Sequence, residues 1–410
     1  MNQKKVQFQN KKGEQISARL DLPVNQHPHT FALFAHCFTC GKNLTAIRNI
    51  ARALNMNGIA VLQFDFTGLG ESEGDFSDTN FTSNVDDLVE AAHFLEQNYQ
   101  APGLLIGHSL GGAAVICAAA QLPPVKAVAT IGAPFDPAHV QHLLGKNLED
   151  IEADGMAEVT ISGRTFVVKR QFLEDIREQS LTEKLKDLDK ALLILHSPQD
   201  TIVAIDNAEK LYRAAFHPKS FVSLDGADHL LKNKNDSYYV GNVIANWATR
   251  YLDMPEKEAL KTEKEVTVRL GSKGYTTEVM MRQHSLISDE PEDVGGNDFG
   301  PSPYELVTAG LGACTAMTLQ MYARRKQWDL QEVQVHLEHY KDYMKDMENT
   351  MGNQAAAKID YFERSLELTG NLDDTQRARL LEIANRCPVH RTLTEEIRIL
   401  TNLKTLDDRH

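Results

Sequence analysis

The sequence predicts a doubly wound, mostly parallel α/β sheet with an inserted cap, followed by a second domain of α+β type. Three observations carry this. From the N-terminus to Tyr251, short apolar runs alternate with stretches of helical periodicity. Residues 136–186 interrupt that alternation. Beyond a polar, proline-containing stretch at 253–262, the grammar changes to a strand pair, one long apolar helix and further strands. The 410 residues suffice for two such domains, expected at 1–252 and 263–410 with the linker between them.

Each element follows from its local pattern. Val6–Leu22, with Lys12-Gly13 at its middle, reads as an antiparallel hairpin at the sheet edge. The runs Phe31–Ala35, Ala60–Phe66, Leu104–Gly107, Ala127–Gly132, Leu192–His196 and Ser220–Leu224 have the length and apolar continuity of strands covered on both faces. Asn43–Asn57, closed by Gly58, and Asn84–Asn98 repeat their apolar residues at helical spacing. The cap at 136–186 holds helical segments and a hairpin, Val159–Lys169, turning at Ser162-Gly163. In the second domain the sequence predicts strands within Val266–Met281, a helix over Tyr304–Arg324, and strands at Val333–Tyr340 and Ile359–Leu368. A helix at Asp374–Arg386 and a strand at Glu396–Leu403 complete it.

Composition excludes some functions. A net charge of −14 is the wrong sign for a nucleic-acid footprint or for an anionic membrane surface. The most apolar run, Ala113–Ala120, is too short to span a bilayer. The N-terminus lacks the apolar core of a secretory signal, so a cytoplasmic location is expected. The five cysteines, Cys37, Cys40, Cys117, Cys314 and Cys387, are odd in number and do not suggest a disulfide framework. Cys37-Phe38-Thr39-Cys40 lacks a second ligand pair at zinc-like spacing, and no metal or cofactor is expected. The glycines at 68, 70 and 74 do not fit a dinucleotide fingerprint.

Gly107-His108-Ser109-Leu110-Gly111 stands between a predicted strand and a predicted helix. That is the setting of a nucleophile elbow, in which a serine hydroxyl sits exposed at a helix N-terminus. Such a serine needs a base, and the base needs an orienting acid. Asp200 and His229 follow the next predicted strand ends in the order Ser, Asp, His. Asp228 adjoins His229 too closely to serve its ring, and Asp225 is a weaker rival. The backbone N–H groups of Leu110 and Phe38 are the expected oxyanion donors.

His36-Cys37-Phe38, the loop Asp65-Phe66-Thr67-Gly68-Leu69-Gly70-Glu71-Ser72 and the Ser109–Asp200–His229 order together resemble the α/β-hydrolase family over about residues 1–252. The resemblance implies hydrolysis of a small-molecule acyl compound, such as a carboxylic ester, by Ser109.

In the second domain, Cys314 lies in a long apolar helix and Cys387 before Pro388 at a helix end. By composition alone they are two small buried hydrophobes. Pro303–Thr315 together with Cys387-Pro388-Val389 resembles the OsmC/Ohr family of thiol peroxidases over about residues 263–407. The whole chain thus resembles fusions of an α/β hydrolase with an OsmC-like domain. The resemblance implies Cys314 as the peroxidatic thiol, Cys387 as the resolving thiol, an organic hydroperoxide as substrate and a dithiol as reductant. It also implies a homodimer through this domain. Glu305 and Arg282 are the candidates for the family's supporting glutamate and arginine. Two other readings stay open. One is an esterase whose OsmC-like domain serves dimerisation only. The other is a redox-sensing or ligand-binding protein with a vestigial hydrolase.

Overall fold

The computed structural model describes residues 2–23, 28–36, 41–42, 44–145, 147–161, 164–253, 260, 264–272, 274–343 and 358–403. Phe38, Cys37, Cys40, the Ser162-Gly163 turn and most of the expected linker lie outside these. Packing divides the chain into two units, Met1–Ser285 and Leu286–His410.

The first unit opens with the hairpin β1 (Asn2–Gln9) and β2 (Gln15–Leu22), antiparallel throughout. Then come β3 (Thr30–Ala35), α1 (Thr45–Met56), β4 (Ile59–Phe64), α2 (Phe81–Asn98), β5 (Leu104–His108), α3 (Leu110–Ala119) and β6 (Ala127–Ile131). The cap comes next: a 3-10 turn at Pro137–Leu143, α4 (Asn147–Asp154), the hairpin β7 (Met156–Ile161) and β8 (Arg164–Lys169), α5 (Arg170–Glu178) and α6 (Leu181–Lys186). The alternation resumes with β9 (Ala191–His196), α7 (Asp206–Ala214), β10 (Lys219–Ser223) and α8 (Lys234–Ala248).

These strands form one sheet in the order β1-β2-β4-β3-β5-β6-β9-β10. All pairs from β4 to β10 are parallel, so their C-terminal ends share one edge. The apolar runs are continuous because both faces are covered, and neighbouring residues go to opposite sides. Leu33, Leu105, Val128 and Leu192 join the core containing α2, α3 and the cap. Phe34, Ile106, Ala129 and Leu193 join the core containing α1 and α8. On that second face Asn49 Nδ2 of α1 donates to Ser237 Oγ of α8 at 2.7 Å, which satisfies two buried polar groups.

The cap buries Ile151, Val159, Val168, Phe172 and Ile176 in the first core. It also grips the segment before α2 and the first turn of α2. Phe166 packs on Phe76 with centroids 4.9 Å apart, and the Thr82 amide donates to Asp175 at 2.8 Å. The cap is therefore integral to the core of this unit.

The hairpin β11 (Val266–Leu270) and β12 (Thr277–Met281) bonds to itself from Val266↔Met281 to Leu270↔Thr277. It falls within the first unit, whereas the change of sequence grammar grouped it with the second domain. Strand β13 (His284–Ser288) completes a three-stranded sheet. The second unit holds α9 (Pro303–Lys326), the long hairpin β14 (Glu332–Tyr343) and β15 (Lys358–Thr369), α10 (Asp374–Ala384) and α11 (Pro388–Thr394). Leu319, Ala323, Leu330, Leu380, Ile383 and Ala384 form its buried cluster.

The strand expected at Glu396–Leu403 is absent: these residues lie in no helix or sheet, and Ile399 and Leu400 are 85% and 89% exposed. Alternating apolar residues specify an extended backbone with one apolar face. A strand also needs a neighbour to accept its hydrogen bonds, and among the described residues no strand pairs with this segment.

Candidate active site

β5 ends at His108 and α3 starts at Leu110, so Ser109 alone makes the turn, at φ 56° and ψ −128°. L-residues rarely occupy this region, and the surroundings must enforce it. They do so by close approach. A Cβ at Gly107 would sit 2.3 Å from the Gly111 carbonyl oxygen, and one at Gly111 would sit 2.5 Å from the carbonyl oxygens of Ala35 and His36. The two glycines of the pentapeptide are thus required by backbone packed on backbone. The Ser109 amide donates to the Ile131 carbonyl at 2.8 Å, tying the turn to β6. Leu110 is the first residue of α3, where an N–H has no partner within the helix. Its expected companion, Phe38, is outside the described residues.

Asp200 and His229 come together from the loops after β9 and β10. His229 Nδ1 lies 2.6 Å from Asp200 Oδ2. The other carboxylate oxygen accepts the amides of Ile202 at 2.8 Å and Val203 at 2.9 Å. Burial pushes the Asp200 carboxyl up, but the bonds from His229, Val203 and Ile202 outweigh it and hold the group below its ordinary value. Asp200 therefore stays ionised and fixes the Nδ1–H tautomer of His229, which leaves Nε2 free to accept a proton. The rivals are used elsewhere. Asp225 accepts from Ser223 Oγ at 2.7 Å, and Asp228 accepts the Leu230 amide at 2.8 Å.

Several supporting residues were not identified from the sequence. Gly132, at φ +55°, leaves room for the pair: a Cβ there would lie 3.2 Å from Asp200 Oδ2 and 3.3 Å from His229 Nδ1. Gln199 Oε1 accepts the Gly226 amide at 2.7 Å and links the acid loop to the base loop. His108, inside the elbow pentapeptide, is buried and places Nε2 2.6 Å from the His229 carbonyl oxygen. A carbonyl only accepts, so His108 carries its proton on Nε2. Burial, then the neighbouring His229, push the His108 pKa down to about 3. His196, buried as well, donates from Nε2 to the Val203 carbonyl at 2.8 Å, and burial lowers its pKa too. Neutral imidazoles thus brace both loops from below.

Lys42, beyond the residues that follow β3, is anchored as well. The Lys42 amide donates to Asp65 Oδ1 at 2.8 Å, and its ammonium bonds Asp65 Oδ2, Ser17 Oγ and, at 3.1 Å, Glu71 Oε2. Burial pushes the Asp65 carboxyl up, and its bonds to Lys42 and Glu71 more than reverse this. The D-x-x-G-x-G-x-S segment is therefore a clamp on the residue just past the loop 36–41.

In the second unit, Cys314 is half-buried on α9, and Cys387 is fully buried at the N-cap of α11. Cys387 Sγ accepts the His390 amide at 3.3 Å and lies 3.7 Å from Thr315 Oγ1, and the Cys314 thiol is close enough to help lower the Cys387 pKa. Glu305 forms the capping box of α9: its Oε2 accepts the Ser302 amide at 2.7 Å. Arg282, at φ 55° in the turn after β12, belongs to the first unit. A guanidinium beside Thr315 is that of Arg364 on β15, which donates to Thr315 Oγ1 at 2.7 Å and to Asn385 Oδ1 at 2.9 Å. Nothing in the local sequence around Arg364 marks it, because strand register alone brings it there.

The buried His108 makes a testable link to pH. Its folded pKa lies below the unfolded value near 6.5, so below that pH the unfolded chain binds a proton that the folded chain does not. The His108 contribution is fully present above pH 6.5 and is lost as pH falls toward 3, by up to about 1.4 kcal/mol per pH unit. His108→Gln, which keeps a donor but cannot titrate, should flatten the decline of unfolding free energy between pH 6 and 4.5. Denaturant melts across that range measure it, and an unchanged slope would contradict this account of His108.

Comparison with known proteins agrees with both parts. Residues 33–165 match the family model described as serine aminopeptidase, S33, and residues 295–402 match that of OsmC-like protein. The esterase domain of a Rhodothermus marinus protein superposes with TM-score 0.52 at 52% identity, covering 61% of this chain and 99% of that one. Est1E from Butyrivibrio proteoclasticus, with ferulic acid bound, gives TM-score 0.53 at 21% identity over 60% and 98%, a likeness of fold. An uncharacterised 31.7 kDa Escherichia coli protein from the traX-finO intergenic region is 30% identical over 122 residues, 29% of this chain. The match spans 42% of that relative's length. The chain belongs to the α/β-hydrolase family in its N-terminal part and to the OsmC-like family in its C-terminal part, as a fusion of the two.

Proposed function

We propose that the N-terminal domain is a serine-dependent hydrolase of carboxylic esters or related small acyl compounds. The observation that carries this is the Ser109 elbow set at the same sheet edge as the Asp200–His229 pair. In the reaction, Ser109 Oγ attacks the acyl carbonyl and His229 Nε2 takes its proton. The Leu110 amide and a second donor, the Phe38 amide, receive the developing oxyanion. Collapse expels the alcohol, which takes the proton from His229, and water then releases the acid by the same route. The 52%-identical relative is titled an esterase domain, which supports this chemistry. Short-chain aryl esters should be hydrolysed by the wild type, and Ser109→Ala should lower kcat by about three orders of magnitude or more. Unchanged turnover would contradict the assignment.

For the C-terminal domain, with its functional boundary at 253–262, we propose reduction of organic hydroperoxides. The Cys314 thiolate attacks the distal peroxide oxygen, the O–O bond breaks, and the alcohol leaves. The resulting sulfenic acid condenses with the Cys387 thiol, releasing water and forming a disulfide that a dithiol reduces. The adjacency of the two thiols supports this. Dithiol-dependent consumption of cumene hydroperoxide should be lost in Cys314→Ser, and activity equal to the wild type would contradict the role of Cys314.

A specific observation favours dimerisation through this domain. On α9, Met317 and Met321 are 65% and 71% exposed, and apolar surface of that kind needs a cover. We propose a homodimer, and a cytoplasmic location consistent with free thiols. Light scattering of the full chain should give twice the monomer mass, and a monomer at micromolar concentration would contradict it. A dimer that consumes no hydroperoxide would leave dimerisation as the role of this domain.

A further inference from the structure

The two thiols of the second unit differ in accessibility and in hydrogen bonding, and thiol–disulfide exchange is sensitive to both. We propose that a thiol reductant attacks Sγ of Cys314 in a Cys314–Cys387 disulfide, with Cys387 as the leaving sulfur. The inference rests on the paired-thiol reading above and adds the direction of reduction, which that reading leaves open.

Access comes first. Cys387 Sγ is enclosed, at 0% exposure, between α9 and the start of α11, whereas Cys314 retains solvent-accessible surface. In-line attack on a disulfide needs an approach opposite the bond being broken; the chain's own packing closes Cys387 to it whether or not a second copy covers α9, and within one chain only Cys314 offers surface for it.

Leaving-group stability points the same way. A negative charge on Cys387 Sγ is met by the His390 amide at 3.3 Å. Thr315 Oγ1, 3.7 Å from Sγ, accepts from Arg364 Nη1 at 2.7 Å and donates to the Leu311 carbonyl at 2.8 Å, so it holds the guanidinium beside the sulfur. Arg364 therefore adds its positive charge near the sulfur. Burial pushes the Cys387 thiol up, but these contacts and the Cys314 thiol outweigh it and bring it below its ordinary value. A sulfur better able to hold an electron pair leaves faster.

In the first exchange, a thiolate of the dithiol bonds to Cys314 Sγ, the Cys314–Cys387 bond breaks, and Cys387 departs with the electron pair as a thiolate. The second thiolate of the reductant then attacks its own sulfur in the mixed disulfide. Cys314 is released as a thiolate and takes up a proton, and the reductant ends as a disulfide, two electrons poorer.

The test uses the full chain and does not depend on peroxidase turnover. The protein is oxidised with diamide, and the Cys314–Cys387 disulfide is identified by peptide mass mapping. It is then exposed briefly to one equivalent of glutathione, quenched in acid and alkylated with N-ethylmaleimide. Glutathione should appear on Cys314 and the alkyl group on Cys387, in at least about tenfold excess over the reverse arrangement. Glutathione on Cys387, or equally on both, overturns the inference while leaving the paired thiols intact. Failure to form the disulfide overturns the paired-thiol reading, and this inference with it. Thr315→Val, a near-isostere without the hydroxyl, should slow reduction of the disulfide by dithiothreitol about threefold. Arg364→Gln, at a half-buried position, should act in the same direction if the valine variant does not fold. An unchanged rate in the variant that folds contradicts the leaving-group argument.

Discussion

The N-terminal domain is organised around the crossing of bare backbone where β5 turns into α3. Gly107 meets Gly111, and Gly111 meets the end of β3, at separations that exclude any side chain. This contact holds Ser109 in a conformation that an L-residue does not adopt unaided. It also fixes the serine relative to β3 and β6, the two strands flanking β5. Because the pairs from β4 to β10 are parallel, the loops bearing Asp200 and His229 emerge at the same edge. A sheet with another order would carry the same residues without gathering them.

The polar environment below that edge is arranged so that one carboxylate is charged and the nearby buried imidazoles are not. Asp200 is ionised because three donors meet it. His108 and His196 are neutral because burial penalises their charged forms, and each donates its one proton to a backbone carbonyl of a catalytic loop. Their role is positional, and neutrality keeps them from competing with His229 for Asp200. On the other side, the Lys42–Asp65–Glu71 group clamps the chain just past the loop after β3. Its Lys42–Asp65 pair is buried while Glu71 is exposed, and a buried pair adds little net stability but defines one arrangement of the segments it joins.

Much of this was legible in the sequence, for identifiable reasons. Ser109, Asp200 and His229 each follow an apolar run long enough to be recognised as a strand, and their order alone restricts the partners. The helical and strand periods were readable because both sheet faces are buried by regular elements. What escaped depends on tertiary register. His108 looks like filler within a pentapeptide until the His229 loop is laid over it. Arg364 lies 49 residues from the threonine it bonds, and only the pairing of β15 brings the two together. Glu396–Leu403 shows the converse, since alternation was present but no strand pairs with it among the described residues. The thiols were legible only by resemblance, because composition alone cannot separate a reactive cysteine from a buried one.

In the proposed reading the two domains place a hydroxyl and a thiol nucleophile in one chain, activated by different means. On that reading Ser109 depends on a neighbouring base, and the Cys314–Cys387 pair depends on donors that stabilise a thiolate. The central claim concerns Ser109, and covalent labelling tests it most directly. A fluorophosphonate probe applied to the full chain, with the adduct mapped by mass spectrometry, should modify Ser109 alone, and His229→Ala should abolish labelling. Modification of another residue, or undiminished labelling without His229, would contradict the account.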